Sequence, residues 1–349
     1  MRQFLFLFFV VLTGSVTAQD PNFSQFYNNP IYYNSAMTAI NNGMSFRVNA
    51  RNLWGPIPGR FNTFSTSLEA QTVYKMGLGI NAYSDVGGEA LLRTSAAYLN
   101  YSYRPIDTKN VILQAGIAGG FVQKSIDWSK LTFSDQLDES LGNINPSAFN
   151  RPNYNTTSYA DFQSGIVLRF NGESRNQRGS FKRYSMTFGG SIHHLSQPKD
   201  VFLGDDITLP IKYVGHFSSN FLFNNIIIQP GFVVEKQNEF RTFSFGVNIV
   251  NKPFTIGLWT RNRTAALSGK QFDSFIAVIG INLPDKGNMT WKVMYNFDFT
   301  VSRLKTSSYG SHELTLVMDF NDRVLFKGKA NAKSIRRRYQ CPKDFSGYQ

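Results

Sequence analysis

The stretch Thr290–Thr300, "TWKVMYNFDFT", sets Trp291, Val293, Tyr295, Phe297 and Phe299 against Lys292, Asn296 and Asp298. Successive side chains of an extended chain point to opposite faces, so this is a strand with one apolar and one polar side. "HELTLVMDF", His312–Phe320, repeats the division, with Leu314, Leu316, Met318 and Phe320 opposed to Glu313, Thr315 and Asp319. Further toward the N-terminus the same period runs through "TFSFGVNIV" (242–250), "NTFSTSLEAQ" (62–71) and "SFRVNARN" (45–52). Segments of this kind fall near 44–54, 61–74, 76–84, 90–103, 111–124, 159–170, 183–194, 212–223, 226–235, 239–250, 253–261, 271–282, 290–300 and 312–320. Their count is fourteen, an even number, and most reach the ~9–11 residues a tilted strand needs to cross a bilayer.

A soluble β-sandwich alternates in the same way, so the connections have to decide. On one side they are mostly short and rich in Asn, Gly and Pro: "YKM", "PIDTKN", "NGESRNQRGS", "NN", "NK" and "PDKGN". The other side carries the long stretches after Lys124 and after Leu195. A sandwich has no reason to sort its loops by parity, whereas an outer-membrane barrel has short periplasmic turns and long external loops. The expected fold is therefore an all-β, antiparallel transmembrane barrel of about fourteen strands, comparable in size to FadL, embedded in outer-membrane lipid. Its inward face, with Arg47, Arg51, Glu69, Asp161, Arg169, Asp298 and Glu313, is too polar for a dry core and suits a hydrated or plugged lumen.

The ends of the chain divide differently. Arg2, an apolar run from Phe4 to Leu12, and small residues at Val16 and Ala18 read as a secretory signal, residues 1–18. The next segment, "QDPNFSQFYNNPIYYNSAMTA" from Gln19 to Ala39, has its aromatics interrupted by Asn, Pro and Ser before a helix or strand period can settle. Lying between a signal and the first spanning strand, residues 19–43 are expected to form a plug in the lumen or a periplasmic cap. The barrel then covers 44–321 and a basic tail 322–349. From Lys327 on, Lys327, Lys329, Lys333, Arg336, Arg337, Arg338 and Lys343 face one acid, Asp344, and supply much of the net charge of +13. Export argues against a nucleic-acid partner for this charge. With an even strand count and the first strand leaving the periplasm, both termini are expected there.

Chemistry is sparse. The single cysteine, Cys341, permits no internal disulfide, and no G-x-S-x-G or HExxH motif occurs. The four histidines are His193, His194, His216 and His312. No enzyme, metal or cofactor is expected. In "HHLSQP", 193–198, the alternation turns His193 into the lumen and carries His194 along the lipid-side row of Phe188 and Ile192 to the rim, with Pro198 setting a rigid exit for a long loop. The "RNLWGPIPGRF" connection, 51–61, reads as a compact loop with Trp54 in the interfacial girdle or acting as a binding anchor.

Several of these stretches also resemble the PorP/SprF family of type IX secretion system membrane proteins of Bacteroidetes, over nearly the whole mature chain. The resemblance is carried by Ser24-Gln25-Phe26-Tyr27, by the spacing of Asn29, Pro30 and Asn34, by Arg51 and Trp54, by the Gly-x-Ser-x-x-His-Leu run from Gly190, by Pro198, and by Cys341-Pro342. Asn34-Ser35-Ala36 stands where the family usually has Asn-Pro-Ala, and Leu53 where a Gln commonly precedes the Trp. The resemblance implies a non-enzymatic outer-membrane component that works with the translocon and the periplasmic ring lipoproteins on secreted adhesins bearing a C-terminal sorting domain. Candidate partner-binding residues are then Ser24, Gln25, Phe26, Tyr27, Asn34, Arg51, Trp54, His193, His194, Pro198, Arg336, Arg337 and Arg338. A FadL-like or porin-like uptake channel is the alternative.

Overall fold

A computed structural model describes residues 20–41, 43–72, 75–88, 91–138, 142–148, 155–173, 183–200, 207–263, 272–286, 289–301 and 309–320. Fourteen antiparallel strands close into one barrel. In chain order these are β1 (Met44–Leu53), β2 (Phe61–Gln71), β3 (Met76–Gly87), β4 (Leu92–Asp107), β5 (Val111–Ser125), β6 (Thr156–Glu173) and β7 (Arg183–His193). The second half comprises β8 (Lys212–Phe223), β9 (Ile226–Gln237), β10 (Phe240–Asn251), β11 (Phe254–Asn262), β12 (Phe272–Lys286), β13 (Met289–Thr300) and β14 (Ser311–Phe320). Each strand pairs with its sequence neighbours, and β14 returns to β1 with Met44 opposite Phe320 and Leu53 opposite Ser311. Closure leaves no unpaired edge, which is what a bilayer demands of a strand-built protein.

The period-two reading holds along every strand it was drawn from. On β13, Lys292, Asn296 and Asp298 are buried while Val293, Tyr295 and Phe299 face out. On β1, Arg47, Asn49 and Arg51 are buried toward the lumen. The outer wall is apolar: Leu99, Ile117, Ile256, Leu258 and Ile279 are each at least 60% exposed, a surface that only lipid can cover stably. No helix among the described residues is long and apolar enough to cross a membrane.

Some boundaries differ from the sequence expectation. β4 runs on through Pro105 to Asp107, so the turn between β4 and β5 is shorter than "PIDTKN" suggested, and β6 extends to Thr156–Glu173. A register shift between Tyr103 and Ile106 admits Pro105, because a bulge removes the need for its missing N–H. The connections sort as expected. The connections at the end where β1 begins are short in sequence apart from 174–182, while the longest, 126–155 and 194–211, fall at the other end.

Candidate functional site

The described residues of 20–43 pack against inward-facing side chains of the barrel strands. The segment is built from single turns: a 3₁₀ turn Phe26–Asn28, an α-turn Pro30–Tyr33, and a 3₁₀ turn Ser35–Met37. Pro30 starts the α-turn, where its missing N–H costs nothing. Asn34 caps the last turn by accepting the Ala36 N–H at 2.8 Å. Turns of three or four residues are too short for a side-chain period to repeat, which explains why no periodic pattern was visible.

The aromatics and polar residues of this stretch have separate tasks. Phe23, Phe26, Tyr32 and Tyr33 form one core with lumen-facing Tyr83, Tyr98, Val122, Val214, Val233, Trp259, Ile276 and Met294. Tyr27 and Phe26 meet the Trp259 ring at 5.3 and 6.1 Å, and Tyr32 meets Tyr83 edge-on at 5.4 Å, contacts worth ~0.5–1.5 kcal/mol each beyond burial.

The polar groups connect the segment to strands all round the wall. Asn22 Nδ2 donates to Glu235 at 3.1 Å. The Ser24 N–H donates to Glu313 at 2.6 Å and its hydroxyl to Asp298 at 2.9 Å. Asn29 donates to Ser65 at 2.9 Å. Ser191 donates to the Tyr33 carbonyl at 2.5 Å, Asn34 Nδ2 to the Gly190 carbonyl at 3.2 Å, and Gln114 to the Thr38 carbonyl at 2.7 Å. The Ala39 N–H donates to Glu69 at 2.8 Å, and Arg104 donates to the Ala39 carbonyl. At the exit, Arg169 reaches Asn41 at 2.9 Å and the Gln71 N–H donates to the Gly43 carbonyl at 3.0 Å.

Two wall glycines make room for this close approach. A Cβ on Gly116 would lie 2.4 Å from the Ala36 nitrogen, and one on Gly165 would lie 2.0 Å from Asn34 Oδ1. A glycine inside a strand often marks such an approach of another backbone. Gly116→Val is therefore expected to lift the segment from β5 at a cost of ~1–3 kcal/mol, the usual range for overpacking. The check is limited proteolysis: cleavage within 20–43 should accelerate while the barrel keeps its heat-modifiable migration.

Of the predicted site residues, Ser24, Gln25, Phe26, Tyr27, Asn34, Arg51, His193 and His194 meet in this interface. Gln25 is fully buried and accepts from Asn28 at 3.0 Å and from Tyr27. Arg51 donates to the Asn22 carbonyl and lies 3.1 Å from Asp298 and 3.9 Å from Glu313. His193 faces the lumen as expected, 3.0 Å from the Tyr33 carbonyl. His194 corrects the reading: it is buried on the lumen side. β7 ends at His193, and His194 adopts a left-handed backbone, φ 59°, which breaks the alternation and turns the imidazole inward.

Trp54 and Pro198 stand apart, in loops at the long-loop end. Trp54 also has a left-handed backbone, φ 58°, and packs edge-on against Phe61 at 5.8 Å. Pro198 accepts the Leu209 N–H at 2.9 Å, which ties the two ends of its loop together. Arg336, Arg337 and Arg338, with the signal and the tail, lie outside the described residues. Sequence reasoning missed the plug-binding roles of Lys212, Glu235 and Arg261; alternation could place them on the inner wall but not say what they meet.

His194 Nε2 lies 2.8 Å from Asp20 and its Nδ1 3.0 Å from Asp161, while Lys212 Nζ lies 3.6 Å from Asp20 and 2.8 Å from Glu235. Burial alone would lower the imidazole pKa, but the Asp20 and Asp161 carboxylates raise it to about 9. Burial would raise Asp20, but His194 and then Lys212 hold it well below the usual carboxylate range. The His194 contribution is thus complete below the ordinary value of 6.5 and is lost as pH rises through about 9. The Asp20 contribution is complete above its ordinary 3.8 and is lost as pH falls below that. Protease protection of the segment should stay flat from about pH 5 to 6.5, fall progressively above that, and have lost the His194 contribution by about pH 9. His194→Gln should abolish the alkaline step.

Among the described residues, no group of three His, Cys, Asp or Glu side chains converges on a metal position. Fold and site together define a membrane-spanning β-barrel whose lumen is occupied by its own N-terminal segment. Residues 15–318 match the model of the type IX secretion system membrane protein family PorP/SprF, and the chain belongs to that family. No curated protein matches it at a significant level.

Solved structures similar to the chain include the Pseudomonas putida toluene transporter TodX, with 8% identity, a TM-score of 0.43, and coverage of 83% of this chain and 92% of that one. A Pseudomonas aeruginosa FadL homologue has 10% identity, a TM-score of 0.42 and coverage of 84% and 94%. The CymD monoaromatic hydrocarbon channel has 10% identity, a TM-score of 0.41 and coverage of 83% and 91%.

Proposed function

We propose that this barrel is a non-enzymatic outer-membrane component of the type IX secretion system that supports secretion or surface attachment of adhesins bearing a C-terminal sorting domain. In this reading it sits with its long loops outside the cell and works with the translocon and the periplasmic ring lipoproteins. The observation that supports it most is the filled lumen. A passage packed with buried aromatics, and with polar groups bonded around the wall, suits a platform better than a route for solutes. Membership of the secretion-system family points the same way.

Affinity purification of the tagged barrel from its native membrane tests the reading. Secretion-system proteins and a secreted chain with a sorting domain should co-purify, and liposomes containing the barrel should not swell in small solutes. Swelling without such partners would favour the FadL-like or porin-like alternative.

The basic tail enters the same test. Deleting Lys327–Gln349 should leave the barrel assembled but weaken a salt-sensitive association with the ring proteins and lower cargo display. Single exposed ion pairs contribute only ~0.2–1 kcal/mol, so the effect depends on Arg336, Arg337 and Arg338 acting together. Unchanged co-purification at the same salt would make the tail a solubilising end.

A further inference from the structure

The contacts of the plug follow its sequence down the barrel. Asp20 lies against His194 and Lys212, the residue that follows β7 and the first residue of β8, both at the long-loop end. Asn29 meets Ser65 near the middle of β2. Ala39 meets Glu69 two residues before β2 finishes at the short-turn end, and β1 then starts from that end. The segment therefore descends the lumen before β1 climbs back along the wall. Phe320, which ends β14, pairs with Met44 at the short-turn end.

We infer that residues 20–43 thread the full length of the lumen against the direction of β1, so that the N-terminal end of the plug is presented at the long-loop face, across the membrane from Phe320. This revises the expectation that both ends of the folded region share one side. Even strand number fixes the two ends of the wall to one side, but a threaded plug moves its leading end to the other. The Ser24 contacts to Asp298 and Glu313 also set the segment against β13 and β14, the strands that close the barrel on β1. That the face in question is the outer one, where a polypeptide cargo would meet it, rests on the function proposed above.

The test uses one-cysteine chains in a Cys341→Ser background and a membrane-impermeant maleimide. Pro21→Cys is the probe; the Pro21 carbonyl, which accepts from Tyr32, persists in the variant. Asn145→Cys in the 126–155 loop and Asn225→Cys in the turn between β8 and β9 report the two faces, both being exposed. Pro21→Cys is expected to react under the same conditions as Asn145→Cys. If both react only after permeabilisation while Asn225→Cys reacts on intact cells, the threading stands and the outward placement of the long loops fails. Reaction of Pro21→Cys with the Asn225→Cys pattern, or only after unfolding, overturns the threading. A short epitope inserted ahead of Asp20 gives a second readout of the same side and does not depend on the reactivity of one thiol.

Discussion

Deleting Pro21–Ile40 is expected to turn a closed barrel into one that conducts ions in discrete steps across a planar bilayer. The wall itself should survive. Its strands are held by backbone ladders that run from β1 round to β14 without using the plug, and closure satisfies them internally. What the deletion removes is the filling. Phe23, Phe26, Tyr32 and Tyr33 leave the centre of the lumen core, and Glu69, Arg104, Glu313 and Asp298 lose their bonds to the segment. Stripped of those partners in a dry cavity, such charges would be costly, so water must enter to solvate them. A fourteen-strand barrel with a polar, hydrated interior is a channel. The measurement is single-channel recording beside the full-length chain, with heat-modifiable migration to show that both are folded. A folded but silent deletion variant would mean that side chains of the wall close the lumen by themselves.

How much of this was legible in the sequence follows from which forces act locally. The barrel strands were, because lipid on one side and polar groups on the other impose a period of two on every spanning segment, as in Thr290–Thr300. The lumen-facing charges were legible for the same reason, residue by residue. The plug's path was not, because each of its bonds joins it to a strand far away in the chain, as with Ser24 and Glu313, and no local rule chooses that partner. Gly116 and Gly165 carried a usable signal: glycines in the middle of spanning strands ask for a backbone or side chain to fill the space beside them. His194 was misread because alternation holds only while the strand does, and a single left-handed residue reverses the facing. The tail shows no apolar period at all, and composition alone separated it from the barrel.

Arg51→Met is expected to be the most damaging single change, because Arg51 joins the closing strands to the plug. From β1 its guanidinium lies 3.1 Å from Asp298 on β13 and 3.9 Å from Glu313 on β14, and it donates to Ser311 at 3.3 Å and to the Asn22 carbonyl. Glu313 is only 1% exposed and Asp298 only 3%, so neither carboxylate can turn to bulk water when the arginine goes. Arg261, 3.4 Å from Asp298, stays behind as a partial counter-charge. Removing one member of a buried ion pair typically costs ~3–5 kcal/mol, more than the pair contributes when intact, because the remaining charge is left without compensation. The transition temperature of heat-modifiable migration should therefore fall well below that of the unmodified barrel. Adding Glu313→Gln removes one of the stranded charges while leaving an acceptor for the Ser24 N–H, so the double variant should lose less than the two single losses together. Strict additivity, or a neutral Arg51→Met, would show that water reaches these groups and screens them. The seam between β14, β1 and the plug would then be held by the strand ladder and the aromatic core instead of by charge.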